Sequence, residues 1–531
     1  MRNFAANVPW TIGNSDGVTT ATISTSVPSR LDRLPWSRWH WTVVIGLGTV
    51  WILDGLEVTV VGNIAGRLSE QGSGLPITGA QVTGVAAALY VSGACAGALF
   101  FGRLTDRFGR KRLFMVTLAV YLGATALTSL SYSSWWFFAF RFITGFGIGG
   151  EYAAINSAVD ELIPARYRGR VDLIINGSFW LGAIAGSLLA IFLLDTRLFP
   201  KDVGWRLTFG LGVVLGLVIL LVRRHVPESP RWLFIHGRAD EAETLVDAIE
   251  RRIEEEKGTP LEPAAGTITI RQRKSTGFRD IARTVFTDYR RRAVLGLALF
   301  IGQAFLYNAI TFGFGEILTK FFGVSTSRTG YFFAVIAVGN FLGPLFLGKL
   351  FDTAGRRVMI SSTFLLSGAL LFVTAWLFDA GLLTAFTLTA CWCVVLFFAS
   401  AGASSAYLTV SEVFPTETRA MAIAFFYAVG TAAGGISGPL LFAELTSSGV
   451  VGDAVLAFQI GATLMCLAGV VAAFLAVPAE GRALEDIATP LSVHTEPLPA
   501  RALVDWPAPP TPPTPPAPPV ERPGRPGCPM E

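Results

Sequence analysis

The chain has 531 residues, of which 52% are hydrophobic and only 15% charged, with a mean hydropathy of +0.53. That balance excludes an ordinary soluble domain, in which about a quarter of the residues are charged. A net charge of +4 is no sign of nucleic-acid binding, and four of the five cysteines fall inside apolar stretches, with Cys528 in the tail, which favours small buried hydrophobes over metal ligands.

Residues 1–38 are polar and Ser/Thr-rich, with no apolar core of signal-peptide length, so the first apolar helix is expected to act as the insertion signal. Twelve apolar stretches follow, each close to the ~20 residues that a helix needs to cross lipid with its backbone satisfied internally. Six are predicted at 41–62, 81–101, 113–130, 136–159, 171–194 and 205–222, giving a bundle over 39–222. The central loop, 223–292, contains a charge-dense stretch at 237–257 that suits a short solvated helix. Six more spans at 293–318, 331–347, 358–378, 383–408, 421–441 and 454–477 give a second bundle over 293–478. The segment 479–531 turns proline-rich between Pro507 and Pro518 and reads as an extended, disordered tail. Arg and Lys crowd the second, fourth and eighth connections and are missing from the third, ninth and eleventh, which predicts a cell-membrane protein with both termini cytoplasmic.

One short cationic loop occurs twice, at equivalent places in the two bundles. Gly102-Arg103-Leu104-Thr105-Asp106-Arg107-Phe108-Gly109-Arg110-Lys111-Arg112 joins the second and third spans, and Gly348-Lys349-Leu350-Phe351-Asp352-Thr353-Ala354-Gly355-Arg356-Arg357 joins the eighth and ninth. A duplication of this kind is the plan of many transporters. Asp106 at a helix end can accept hydrogen bonds from neighbouring helix N-termini, while Arg107 and Arg110 can reach an acidic end such as Glu161. Asp352, Arg356 and Arg357 with Glu412 are expected to do the same in the second half. Contacts of this kind, made in one state and broken in another, set the bias between the two.

Charges inside a span are costly and usually functional. Asp54 and Glu57 lie three apart and therefore on one helix face. With a rise of ~1.5 Å per residue, they lie roughly 20 and 24 Å from the inner face, and Arg141 of the fourth span lies at roughly 22 Å. The glycines at 145, 147, 149 and 150 are expected to let the helices close on this pair.

Taken in order, the motifs resemble the major facilitator superfamily and its sugar-porter-like branch. They are the repeated loop, Arg141-x3-Gly145-x-Gly147-x-Gly149-Gly150-Glu151, Glu161-x2-Pro164-x3-Arg168-Gly169, Pro227-Glu228-Ser229-Pro230-Arg231-Trp232-Leu233, Glu412-Val413-Phe414-Pro415-Thr416-x2-Arg419 and Pro478-x-Glu480-Gly481-Arg482-x-Leu484-Glu485. The resemblance covers roughly 36–487. It implies an all-α membrane fold of two pseudo-symmetric six-helix bundles rocking about a midplane site, no cofactor, and a monomer that carries a small molecule with protons.

The resemblance also assigns roles. Glu57 matches the proton-coupling carboxylate and Arg141 its partner, although Asp-Gly-x-Glu in the first span is also similar to the acidic motif of organic-acid–proton symporters, which keeps Asp54 in play. Gln303 and Asn308 keep part of the sugar-binding pattern of the seventh span, but Gly302 stands where a glutamine is usual and Leu306 where a glycine is. Asn176 replaces a glutamine, and Ala406-Tyr407 replaces Pro-Trp. A lining of Asn176, Gln303, Tyr307, Asn308 and Tyr407 suits a sugar, a polyol, or an organic or aromatic acid. Symport, facilitated diffusion and export all fit this scaffold, whereas a non-transporting sensor is disfavoured by the paired intramembrane charges. No nucleophile–base pair or phosphate loop suggests an enzyme.

Overall fold

The structure, a computed structural model, describes residues 22–78, 81–223, 228–264, 267–271, 283–324, 326–415 and 419–488; the proline-rich tail lies outside these. Side chains at some positions within helices, Asp106 and Arg110 among them, are also outside the described residues, so the expectations placed on those two are not addressed.

Twelve helices span the molecule. The first half comprises Arg38–Leu68, Ala87–Phe108 with a π-helical lead-in at Gln81–Ala86, Arg110–Ser129, Ser134–Leu162, the pair Arg168–Gly177 and Phe179–Leu193, and Lys201–Arg223. The second half comprises Arg290–Phe322, Thr326–Thr353, Arg356–Asp379, Ala385–Val413, the run Arg419–Gly430, Thr431–Ile436 and Ser437–Ser447, and Val451–Leu475. Eleven of the spans are long and apolar enough to cross a membrane by length and composition; the fourth, Ser134–Leu162, with its glycines, Arg141 and Glu151, is not among them. The helices run past the apolar stretches at several ends because capping, and not hydropathy, decides where they stop. Ser133 accepts from the Trp136 N–H, Thr384 and Thr387 cap each other reciprocally, and Gly323 closes the seventh helix in the left-handed region.

Glycine lets the second and fourth helices touch backbone to backbone. A Cβ on Gly97 or Gly149 would sit 1.9 Å from the Phe146 or Ala94 carbonyl oxygen, so no larger residue fits either place. Gly147 and Gly150 face Tyr121, Phe101 and Thr117 instead. The glycines of the fourth helix therefore seat it against the second and third helices. The halves meet along the fifth and eighth helices, where Gly177 leaves room for the Pro344 ring, and along the second and eleventh.

Outside the spans, Thr22–Thr25 (β1) pairs antiparallel with Ile268–Arg271 (β2), and Val27–Asp32 forms a short helix. The central loop holds Pro230–Ile235 and the expected charged helix, Ala239–Lys257. The latter is only half solvated: Ala242, Val246, Ile249 and Ile253 form a buried stripe at helical spacing.

Candidate functional site

Between the halves lies a cavity of about 180 Å³. The first half contributes Trp51, Tyr90, Tyr152, Asn176, Phe179 and Trp180, and the second contributes Gln303, Tyr307, Asn308, Tyr407, Tyr427 and Thr431. All five residues singled out as a lining (Asn176, Gln303, Tyr307, Asn308 and Tyr407) line this cavity. No Asp, Glu, Lys or Arg is among the lining residues, so the cavity is neutral and largely aromatic. Trp51 stacks on Tyr152 with centroids 4.7 Å apart and meets Tyr407 edge-on at 5.9 Å. The amides are partly engaged: Asn176 Nδ2 donates to Asn156 Oδ1 (3.1 Å) and to the Asp172 carbonyl (2.9 Å), and Asn308 Nδ2 donates to the Ala304 carbonyl (2.8 Å). The Tyr307 hydroxyl donates to Asn340 Oδ1 at 2.8 Å, which makes Asn340 a packing partner.

The wall is irregular where polar groups enter it. The fifth helix breaks between Gly177 and Phe179, beside Asn176, and the eleventh passes through a π-helical stretch that contains Thr431. Such interruptions free backbone groups and are tolerated in a span where they border a cavity.

Behind Tyr90 lies the charged pair. Arg141 Nη1 donates to Glu57 Oε1 at 2.7 Å, and the two side chains are 2% and 1% exposed. The guanidinium sits over the Tyr90 ring at 4.6 Å and near Phe209 at 6.0 Å. One aromatic ring therefore separates the Arg141 charge from the cavity. Asp54 is fully buried on the same helix, one turn from Glu57, and Glu151 is fully buried on the fourth helix.

At the basic face the repeated loop builds two matching corners. Gly109 (φ 94°) and Gly355 (φ 100°) let the chain turn sharply between helices. The helix that follows each is capped by a carboxylate: Glu228 accepts from the Lys111 N–H (3.2 Å) and Glu480 from the Arg356 N–H (3.2 Å). Gly102 and Gly348 are buried inside the helices that precede these turns, Gly348 facing Arg170. Arg356 forms a fork on Glu412, with both bonds at 3.0 Å, and holds Asp352 at 2.9 Å.

Several links among the described residues cross between the halves. Asp352 accepts from the Gly169 and Arg170 N–H groups (3.1 and 2.8 Å) at the start of the fifth helix, Arg168 lies 3.7 Å from Glu412, and Arg419 lies 3.8 Å from Glu161. The basic face is thus closed. Two expectations fail here. Arg107 is exposed and lies over Phe108, while Glu161 is met by Arg419 from the other half. Arg357 donates to the Ala473 carbonyl at 2.6 Å and takes no part in the Glu412 cluster, because it leaves the ninth helix on the side facing the twelfth.

Two bundles tied at one end, a buried ion pair in mid-span and a central cavity between them have the architecture of a membrane transporter. The profile of the sugar (and other) transporter family matches residues 67–491, and the chain belongs to that family, within the major facilitator superfamily. It is similar to the niacin transporter NiaP of Acinetobacter baylyi (28% identical over 418 residues, 78% of this chain and 90% of that one). It is also similar to the 4-hydroxybenzoate transporter PcaK of Pseudomonas putida (26% over 416 residues, 77% and 86%). Among solved structures it superposes on the proton:xylose symporter XylE bound to 6-bromo-6-deoxy-D-glucose, with a TM-score of 0.68, 19% identity and coverage of 84% and 98%. Against the partially occluded inward-open conformation of the xylose transporter XylE from E. coli the TM-score is 0.61, at 18% identity and 82% and 97% coverage.

Sequence reasoning missed Trp51, Tyr90, Tyr152 and Tyr427. An aromatic residue in a span faces lipid, core or cavity with similar ease, and only the assembled bundle separates the three.

Proposed function

We propose that the chain is a proton-coupled symporter that works as a monomer in the cell membrane, with its basic face and both termini on the cytoplasmic side. Its cargo is a small ring-bearing carboxylate. The observation that carries this reading is the neutral aromatic cavity backed, across Tyr90, by the Glu57–Arg141 pair.

Flat aromatic walls favour a flat ring, through stacking worth about 0.5–1.5 kcal/mol per pair beyond burial. A sugar needs a dense set of paired donors and acceptors, and the positions that would supply them are thinned by Gly302 and Leu306. The relatives named for niacin and 4-hydroxybenzoate both carry ring acids, in line with these walls. Protonation of Glu57 would release Arg141 from its partner, and a cation one ring away from the cavity favours an anion inside it. Proton and anion then bind cooperatively and cross together, as linkage requires.

The test is a flux assay in proteoliposomes carrying a luminal pH dye, challenged with nicotinate, 4-hydroxybenzoate and xylose, for the wild type and for Glu57→Gln and Asp54→Asn. Luminal acidification with a ring acid, lost in Glu57→Gln, is the expected outcome. Acidification lost only in Asp54→Asn would move the proton to Asp54. Ligand uptake without any pH change would make the protein a uniporter and reduce the ion pair to architecture.

A further inference from the structure

The cavity has to hold an acid without a cation of its own. Three tyrosines offer a solution: Tyr152 of the fourth helix, Tyr407 of the tenth and Tyr427 of the eleventh. Their rings touch one another, with centroids 4.9 Å apart for 152–427, 6.2 Å for 407–427 and 6.3 Å for 152–407. All three line the cavity and are buried apart from 7–9% of their surface. Among the described residues, none of the three hydroxyls has a hydrogen-bond partner, in contrast to Tyr307, which is spent on Asn340.

A hydroxyl at a cavity wall with no protein partner is free to meet a polar group of the cargo. Three such tyrosines with touching rings bring three donors to one cavity, and a carboxylate is the ligand group with enough lone pairs, about four, to accept from all of them. O–H···O⁻ bonds are charge-assisted and short, so neutral donors suffice to hold the anion.

We infer that the hydroxyls of Tyr152, Tyr407 and Tyr427 are the anchor for the carboxylate of the transported molecule, an inference that rests on the ring-acid reading above. The ring then extends from the anchor along the aromatic wall towards Trp180 and Tyr307. Because Tyr152 belongs to one half and Tyr407 and Tyr427 to the other, an occupied anchor joins the halves, and the acid itself favours closure over the cavity. Tyr152 and Tyr427 are thereby specificity-determining residues alongside Tyr407.

The experiment is a binding titration of the purified full chain, followed by tryptophan fluorescence from the cavity wall. The ligands are nicotinate, nicotinamide and xylose at neutral pH, where nicotinate is an anion and nicotinamide its uncharged counterpart. The variants are Tyr152→Phe, Tyr427→Phe and the triple variant with Tyr407→Phe, each of which keeps its rings. Wild-type protein is expected to prefer nicotinate over nicotinamide by at least tenfold. Each single variant should lose about tenfold in nicotinate affinity, and the triple variant should bind the two alike. Thermal melting identifies a variant that is merely unfolded, in which case the single variants decide. A nicotinate preference that survives in the folded variants overturns the anchor while leaving the ring-acid reading intact, as does a wild type that binds both equally. Binding of xylose alone, or of none of the three, overturns both.

Discussion

Asp352→Ala tests the closure of the basic face most directly. Asp352 accepts two backbone N–H groups across the gap between the halves, from Gly169 and Arg170, and is 11% exposed. A hydrogen bond to a charged group contributes about 1.5–3 kcal/mol. Partial solvation places each bond at or somewhat below the low end, together about 2–3 kcal/mol. The contact between Asp352 and Arg356 lies within one half and persists when the halves part, so only the crossing bonds bias the equilibrium. The expected shift towards the basic-face-open state is then roughly 30- to 150-fold. Spin labels at the exposed Lys111 and Lys349, one in each half, read the separation of the helix ends. Wild type should give a short distance, and Asp352→Ala should transfer most of the population to a longer one. A distance distribution unchanged by the substitution would refute the reasoning, because it would mean that these bonds are not specific to the closed state.

Other substitutions test the supports of the site. Arg141→Lys keeps a charge but loses the planar group lying over Tyr90 and Phe209, and uptake into liposomes should fall more than tenfold while the amount of inserted protein stays near wild type. Gly149→Val would drive a side chain into the Ala94 backbone, so size-exclusion chromatography should show little or no monodisperse protein. The N-terminal segment should be released in acid. Arg30 is held by Glu243, Asp247 and Glu250, and Arg33 by Glu250. Partial burial alone would raise the Glu250 carboxyl, but hydrogen bonds from Arg30 and Arg33 outweigh it and hold the group below its ordinary value. A depressed carboxylate stabilises the contact fully above its unfolded pKa, about 4.3, and loses that contribution as pH falls through the folded value. Hydrogen-exchange protection of Val27–Asp32 should therefore hold from pH 7 down to about pH 5 and collapse below about pH 4. Protection that fades between pH 7 and 5 would assign the hold to another group.

The parts of this molecule that can be read from the sequence are those set by local chemistry. Twelve spans follow from the backbone's need to satisfy itself in lipid, and the Glu57–Arg141 contact follows from two helix rises that bring the residues to one depth. Partner choice at the basic face was less legible. Glu161 lies nearer in sequence to Arg107 than to Arg419, yet the fold presents it to Arg419, because the fourth helix ends against the opposite half. The ordered N-terminal segment was also hidden. Nothing in a polar stretch of Ser and Thr announces a strand, and its order comes from β2 and from the acidic row of the central-loop helix.

The strengths of the charged contacts divide along the line between the halves. Inside the second half the Arg356 fork on Glu412 is tight, at 3.0 Å for each bond, and nearly fully buried. Across the gap, Arg168–Glu412 and Arg419–Glu161 are 3.7 and 3.8 Å apart, too long for good hydrogen bonds. Tight pairs within a half keep it rigid, since truncating one partner of a buried pair costs about 3–5 kcal/mol. Loose pairs across the gap can part at small cost and re-form. Glu412 belongs to both sets, so the second corner is fixed to its own half by ion pairs, and its firm hold on the other half is the pair of backbone bonds accepted by Asp352. Tightening the crossing pairs should consequently impair transport. Bringing Arg168 and Glu412 into direct hydrogen bonding would stabilise the closed face, and uptake in liposomes should show a lower turnover while affinity for the cargo holds.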